Sequence, residues 1–222
     1  MSDAKREILH RVRAALGEAR GTQVKIPRDY HYRLVGADVA TRADVVALFS
    51  ERLADSLATV RHVGADELGT AVAAALWGAG VRRLVVPADL PYGWLAELDG
   101  VQICADSAAA GVDALTEAAG VVTGCAVAIA QTCTIVLDGG RAQGRRALTL
   151  LPGYHLCVVH ADQIVGSVPE AIERLDPYRP LTWISGAPAA ARLEPGRTEG
   201  VRHGPRVLDV LVVDEAAPVR AG

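Results

Sequence analysis

Apolar positions recur along the chain with two different spacings. Near the amino terminus, Ile8, Leu9, Val12, Ala15 and Leu16 follow a helical period, with Asp3 placed to cap the helix and Gly17 and Gly21 to end it. A polar, Pro-containing stretch follows from Gln23 to Arg33. A second helix opens at Thr41-Arg42-Ala43-Asp44, a capping box with Asp in place of Glu, and Val45, Leu48, Phe49, Leu53 and Leu57 line one face. A third spans the region from Glu67 to Gly78, with Leu68, Val72 and Leu76 facing inward.

Beyond this point strand and helix alternate. Leu84-Val85-Val86 reads as a buried strand, Pro91 to Leu98 as a short helix, Val101 to Cys104 as a strand and Ser107 to Glu117 as a helix. Gly120 to Gly124 and Ala128 to Leu137 read as strand pieces. A helix is expected from about Gly144 to Pro152, a strand over His155 to Val159, and a helix with an early Pro from Pro169 to Leu175. Leu181 to Ile184 and Val207 to Val213 are the last strands, the latter closing the sheet. Helices between apolar strands predict an α/β fold: three layers, α/β/α, around a mostly parallel covered sheet. The boundaries expected are an N-terminal helical arm, 1–35, and an α/β domain, 36–222. Such an arm packs either on its own domain or on a second copy of the chain, making a homo-oligomer.

Composition narrows the class. The 222 residues are 50% hydrophobic and 22% charged, ordinary for a globular protein and unlike a disordered or fibrous one. Aromatics are 4%, with one Phe, so the core is aliphatic and offers no stacking platform for bases. The net charge of −3 lacks the basic excess of a nucleic-acid binder. No apolar stretch follows Met1-Ser2-Asp3-Ala4-Lys5-Arg6-Glu7, so no secretory signal is read there. The run Ala118 to Leu137 carries no charge and is long enough to cross a bilayer. Its glycines, its threonines and Gln131, with no basic anchors on its flanks, point instead to buried strands. The expectation is a cytoplasmic protein with no membrane span. Cys104, Cys125, Cys133 and Cys157 form no C-x-x-C and no zinc spacing; they are expected to be small buried hydrophobes, with no metal and no iron–sulfur cluster held by this chain alone.

In open α/β sheets, ligands bind beyond the carboxyl ends of the strands. Three segments are expected there: Thr123-Gly124, the run Asp138-Gly139-Gly140 through Gly144-Arg145-Arg146, and Ser185-Gly186. In the second, glycines let the backbone approach a ligand, a helix N-terminus follows, and Arg145 and Arg146 add charge suited to a carboxylate or phosphate. The same segment also reads as a glycine turn whose arginines pair with local acids. Asp138 is either a general base or the cap of its Asp-Gly-Gly turn. His203, in His203-Gly204-Pro205-Arg206, is an acid/base candidate with Arg206 as an anion clamp; the alternative is a rigid turn. His31, on the arm between Tyr30 and Tyr32, covers a pocket or a dimer contact, or sits in a surface loop. No G-x-S-x-G elbow surrounds any serine.

Several of these residues stand in a recognisable order. Gly120-Val121-Val122-Thr123-Gly124, Ala128-Ile129-Ala130-Gln131-Thr132, Thr134-Ile135-Val136-Leu137-Asp138-Gly139-Gly140 and Gln143-Gly144-Arg145-Arg146-Ala147-Leu148 together resemble the LUD-domain family, typified by lactate utilisation protein C (LutC). Ile184-Ser185-Gly186, Glu194, Arg197, Glu199-Gly200-Val201 and His203 to Arg206 resemble the same family's ending, and the N-terminal helix with Pro27-Arg28-Asp29-Tyr30 is also similar. The resemblance implies a sugar-isomerase/CoA-transferase-like α/β fold. It also implies a LutC-like component of a three-protein system that oxidises L-lactate to pyruvate, whose LutA-like and LutB-like partners carry the iron–sulfur clusters. Against the family pattern, Gln131 replaces Glu, Cys133 replaces Gly, and Pro188, Ala190 and Arg192 replace Ser, Thr and Asp, with one residue inserted around Arg202. Gln is neither a carboxylate nucleophile nor a base at neutral pH.

The site expected is an anion pocket. Thr123, Gly124, Thr132, Gly139, Gly140, Arg145, Ser185, Gly186 and Arg206 would bind the ligand, a small carboxylate or other anion, and Asp138 or His203 would handle protons. Two further readings stand beside it. One is a non-catalytic assembly subunit, favoured by Gln131 and Arg192. The other is an independent enzyme using CoA or a phosphosugar, by analogy with the wider fold.

Overall fold

A computed structural model describes residues 3–15, 41–56, 58–107, 115, 117–185 and 205–214. Two units separate, Met1–Tyr32 and Arg33–Gly222. In the first, helix α1 (Asp3–Ala15) carries the i,i+3 and i,i+4 ion pairs Asp3–Arg6 and Glu7–Arg11. It buries no residue, and Ile8 and Val12 of its apolar stripe are exposed.

The second unit is built on a six-stranded sheet in the order β1-β10-β7-β4-β2-β3, with every neighbouring pair parallel. The strands are β1 (Thr59–Val63), β2 (Arg83–Val86), β3 (Gln102–Ala105), β4 (Gly120–Thr123), β7 (Tyr154–His160) and β10 (Val207–Val213). Central β4 and β7 are buried nearly throughout, the signature of a parallel sheet covered on both faces. Helix α3 (Leu68–Gly78) covers one face, packing Leu68, Val72 and Leu76 on Leu84, Val122, Leu156, Val158 and Leu211.

On the other face, α2 (Arg42–Asp55) lays Val46, Phe49 and Leu53 over Cys157, Val159, Leu208, Val210 and Val212. The Thr41 capping box forms as expected: Thr41 accepts from the Asp44 N–H, and the Asp44 carboxylate accepts from the Thr41 N–H at 3.0 Å. The same layer contains a second sheet, which the single-sheet expectation did not include. Its strands β5 (Val127–Ile129), β6 (Thr134–Leu137), β8 (Ile164–Val165) and β9 (Thr182–Ser185) run in the order β8-β5-β6-β9. β5 and β6 pair as an antiparallel hairpin, and β9 pairs antiparallel to β6. Ala128, Ile135 and Leu137 of this sheet face α2 and the large sheet, while Val127, Ile129 and Val136 pack with Ala171 of α5 (Val168–Arg174). The architecture is therefore three-layer α/β/α around a parallel sheet, with a small mixed sheet sharing one outer layer.

The uncharged run is thus β4, β5 and β6. No helix among the described residues is long and apolar enough to cross a membrane. Cys125, Cys133 and Cys157 are buried, but Cys104 is exposed, because β3 is an edge strand. The helix expected over Ser107 to Glu117 lies mostly outside the described residues. The one expected from Gly144 shortens to α4 (Ala147–Leu150).

Two stability measurements follow. Thr41→Ala removes the box and should cost about 1 kcal/mol in urea unfolding; an unchanged midpoint would show that α2 needs no cap. His155 of β7 is fully buried, and burial lowers its pKa from 6.5 to about 4. The unfolded chain therefore binds this proton first. The stability contributed by neutral His155 is complete above pH 6.5 and falls away down to about pH 4, by a total on the order of 3 kcal/mol. His155→Gln should flatten the stability–pH curve within that window and leave it parallel to the parent above it.

Candidate functional site

The loop after β6 determines what lies at the carboxyl ends of the parallel strands. Asp138 turns the chain: its Oδ1 accepts from the Gly140 N–H at 2.9 Å, its Oδ2 accepts from Arg179 at 3.2 Å, and its own N–H donates to Gln143 Oε1 at 2.7 Å. Gly139 and Gly144 have φ of +69° and +67°, the left-handed region that glycine enters without strain. At Gly140 a Cβ would stand 2.8 Å from Asp138 Oδ1 and 3.0 Å from an Arg179 nitrogen, so close approach demands glycine there. The loop then folds back on the large sheet. The Gly124 N–H, just past β4, donates to Ala142 O at 2.8 Å. The Ala142 N–H donates to Asp89, beyond β2, at 3.0 Å. Arg145 Nε lies 3.0 Å from both carboxylate oxygens of Asp106, the residue after β3.

These contacts wall an open cleft of about 500 Å³, lined by residues 137–140, 143–146 and 149 with Arg179, Pro180 and Thr182. Its charged groups are Asp138, Arg145, Arg146 and Arg179. Arg179 is shared between Asp138 and Asp176. Arg146 is exposed; its carbonyl accepts from Thr149, and its guanidinium has no ion pair or hydrogen bond among the described residues. Gln143 is buried, and the Asp138 N–H fixes its amide orientation by requiring an oxygen acceptor.

Of the residues expected in one pocket, the structure brings Asp138, Gly139, Gly140 and Arg145 into the cleft wall; Gly124 is outside the lining and bonds to the same loop at Ala142 O. Thr123, the last residue of β4, is fully buried and outside the cleft lining, its hydroxyl 2.7 Å from His155 Nε2. Thr132 and Ser185 are elsewhere. Ser185 pairs in register with Thr134, and their hydroxyls are 2.8 Å apart, whereas the cleft begins at the Leu137–Thr182 pair. Three residues of strand, about 10 Å, separate the two ends. Arg206 sits before β10, its N–H bonded to Gly153 O, at the amino end of the sheet. Gly186, His203 and His31 lie outside the described residues, as do Pro188, Ala190 and Arg192.

Two expectations change on this geometry. Both Asp138 oxygens are occupied, so its observed part is the turn cap. Helix α4 has four residues, too few to supply the helix N-terminus anticipated behind the glycines. From the sequence alone Arg146 is only extra charge, and neither Gln143 nor Arg179 stands out as a site residue. Gln143 was visible as part of the loop, but nothing in the spacing linked Arg179 to it across 41 residues. Cys133, where the family pattern has Gly, holds φ at +51°, which explains the glycine preference at that turn. Gln131 lies in the same turn: its N–H donates to Gly166 O, and Arg52 donates to its carbonyl.

The parallel sheet, the hairpin layered on it and the glycine loop closing its strand ends define an α/β protein with a basic cleft. The chain belongs to the LUD-domain family: the LUD domain matches residues 108–213, from before β4 through β10. It is 46% identical over 177 residues to lactate utilization protein C of Deinococcus radiodurans, spanning 78% of this chain and 81% of that relative. A crystal structure of a DUF162 family protein from Deinococcus radiodurans matches with a TM-score of 0.66 at 42% identity, covering 78% of this chain and 99% of that one.

Gly144→Ala would place a Cβ onto Leu148 Cδ1 at a left-handed φ, so it should destabilise by more than about 1 kcal/mol. The check is thermal unfolding of the variant. An unchanged transition would mean the loop relaxes freely around position 144.

Proposed function

We propose that this chain serves lactate utilisation in the cytoplasm, as a LutC-like component of a system that oxidises L-lactate to pyruvate. The observation that carries the reading is 46% identity to a lactate utilization protein C over most of both chains. Oxidation of lactate to pyruvate releases two electrons and two protons, which need an acceptor. As the family resemblance implies, the reading gives electron transfer to LutA-like and LutB-like iron–sulfur partners and gives this chain the binding of an organic anion in its basic cleft.

A specific feature favours a role in binding or assembly over proton transfer. The described wall of the cleft contains no His, Cys, Lys or Tyr, and its one carboxylate is held by the Gly140 N–H and by Arg179. An assembly subunit without chemistry of its own is the second reading.

The test is deletion of the chain in its source cells, with L-lactate-dependent dye reduction measured in extracts and complementation by the intact chain. Loss of dye reduction, restored by complementation, together with co-purification of iron–sulfur absorbance on the tagged chain, is the expected result. Full lactate oxidation in the deletion strain would overturn the proposal. Restoration of activity by a chain whose cleft binds no anion would select the assembly reading.

A further inference from the structure

The cleft's charges are unequally matched. Arg145 is held by both oxygens of Asp106, and Arg179 lies between Asp138 and Asp176. Asp138 and Asp176 thus share one guanidinium, which leaves that side of the cleft with no surplus positive charge for a second anionic group. Arg146 lines the same cleft, is exposed, and is matched by nothing among the described residues. Gln143 adds a neutral donor: its Oε1 is occupied by the Asp138 N–H, and its Nε2 stands at the Gly140 wall, 3.2 Å from where a Cβ there would be. A guanidinium with a fixed amide donor suits one carboxylate. Meanwhile about 500 Å³ is space of the kind that takes ligands well beyond three carbons. Thr182 and the glycine backbone offer hydrogen bonds to hydroxyl groups along it.

We propose that Arg146 is the ligand-binding cation of this cleft and that its ligand is a hydroxylated organic monocarboxylate considerably larger than lactate. The proposal rests on the reading of the cleft as an anion site, and not on the lactate role of the chain. Arg145 and Arg179 act as positioning residues: Arg145 ties the loop to Asp106, Arg179 braces the loop's Asp138, and the anion is left to Arg146.

The experiment is isothermal titration of the full chain with gluconate and with L-lactate at one ionic strength. The chains compared are the parent, Arg146→Ala, Arg146→Lys and Arg141→Ala. Arg141 is a neighbouring exposed arginine outside the cleft wall and controls for general attraction of anions. Gluconate should bind the parent about tenfold or more tighter than lactate. Arg146→Ala should weaken gluconate about tenfold or more, Arg146→Lys should recover part of the loss, and Arg141→Ala should change affinity less than about twofold. Should Arg146→Ala fold poorly, phenylglyoxal labelling of the parent replaces it: gluconate should protect Arg146, read by peptide mass. Equal affinity of Arg146→Ala and parent, lactate binding as tightly as gluconate, no gluconate binding, or no protection of Arg146 would each overturn the proposal. Each of these outcomes leaves the deletion experiment on lactate oxidation untouched, so failure of the ligand assignment and failure of the lactate role are read separately.

Discussion

The site depends on carboxylates at the ends of parallel strands holding a glycine loop in place. Asp89 and Asp106 follow β2 and β3, and each takes a donor from the loop, the Ala142 N–H and the Arg145 guanidinium. A parallel sheet buries its strands and leaves their ends as the places where polar groups meet solvent. The Asp106 carboxylate is mostly shielded and bridged by both oxygens, the geometry in which an Arg–carboxylate pair fixes orientation most strongly. A loop of glycines and left-handed residues loses much conformational entropy on ordering, so these contacts offset a real cost. Without them the cleft wall would not have a defined shape.

The same contacts determine what chemistry the cleft offers. Charged groups that hold the loop are already partly neutralised by their partners. Asp138 caps the turn and takes Arg179; Arg145 takes Asp106. Among the described residues of the lining, what remains is the unmatched Arg146 guanidinium, the pinned Gln143 amide, the Thr149 and Thr182 side chains and backbone. That inventory suits the anion binding proposed for the cleft. Family membership and this inventory are compatible when the redox chemistry belongs to iron–sulfur partners.

The sequence made the parallel sheet legible because β4, β7 and β10 are nearly continuous apolar runs, and α2 legible because Thr41 and Asp44 form a capping box. Its edges were harder. β1 carries Arg61 and His62 because it is an edge strand with one protected side, and no apolar run marks it. The second sheet was hidden for a different reason: β5 and β6 are as apolar as the strands of the large sheet, since both of their faces are covered. Periodicity does not tell which sheet such a strand joins. In the site, the Asp138-Gly139-Gly140 turn and the charge of Arg145 could be read locally. Their division of labour could not, because Asp106 and Arg179 reach the loop from 39 and 41 residues away. Ser185 was misplaced with respect to the cleft because strand direction, which decides the end of β9 that meets Leu137, is a property of pairing and not of composition.

The claim that the loop is fixed before any ligand arrives has a direct measure in amide hydrogen exchange of the free chain. The Gly124, Asp138, Gly140 and Ala142 amides should exchange slowly, as hydrogen-bonded groups held by tertiary contacts do. Asp89→Ala and Asp106→Ala should speed exchange in the loop while β7 stays protected. Exchange of these four amides at the rate of an open loop in the parent chain would contradict the claim.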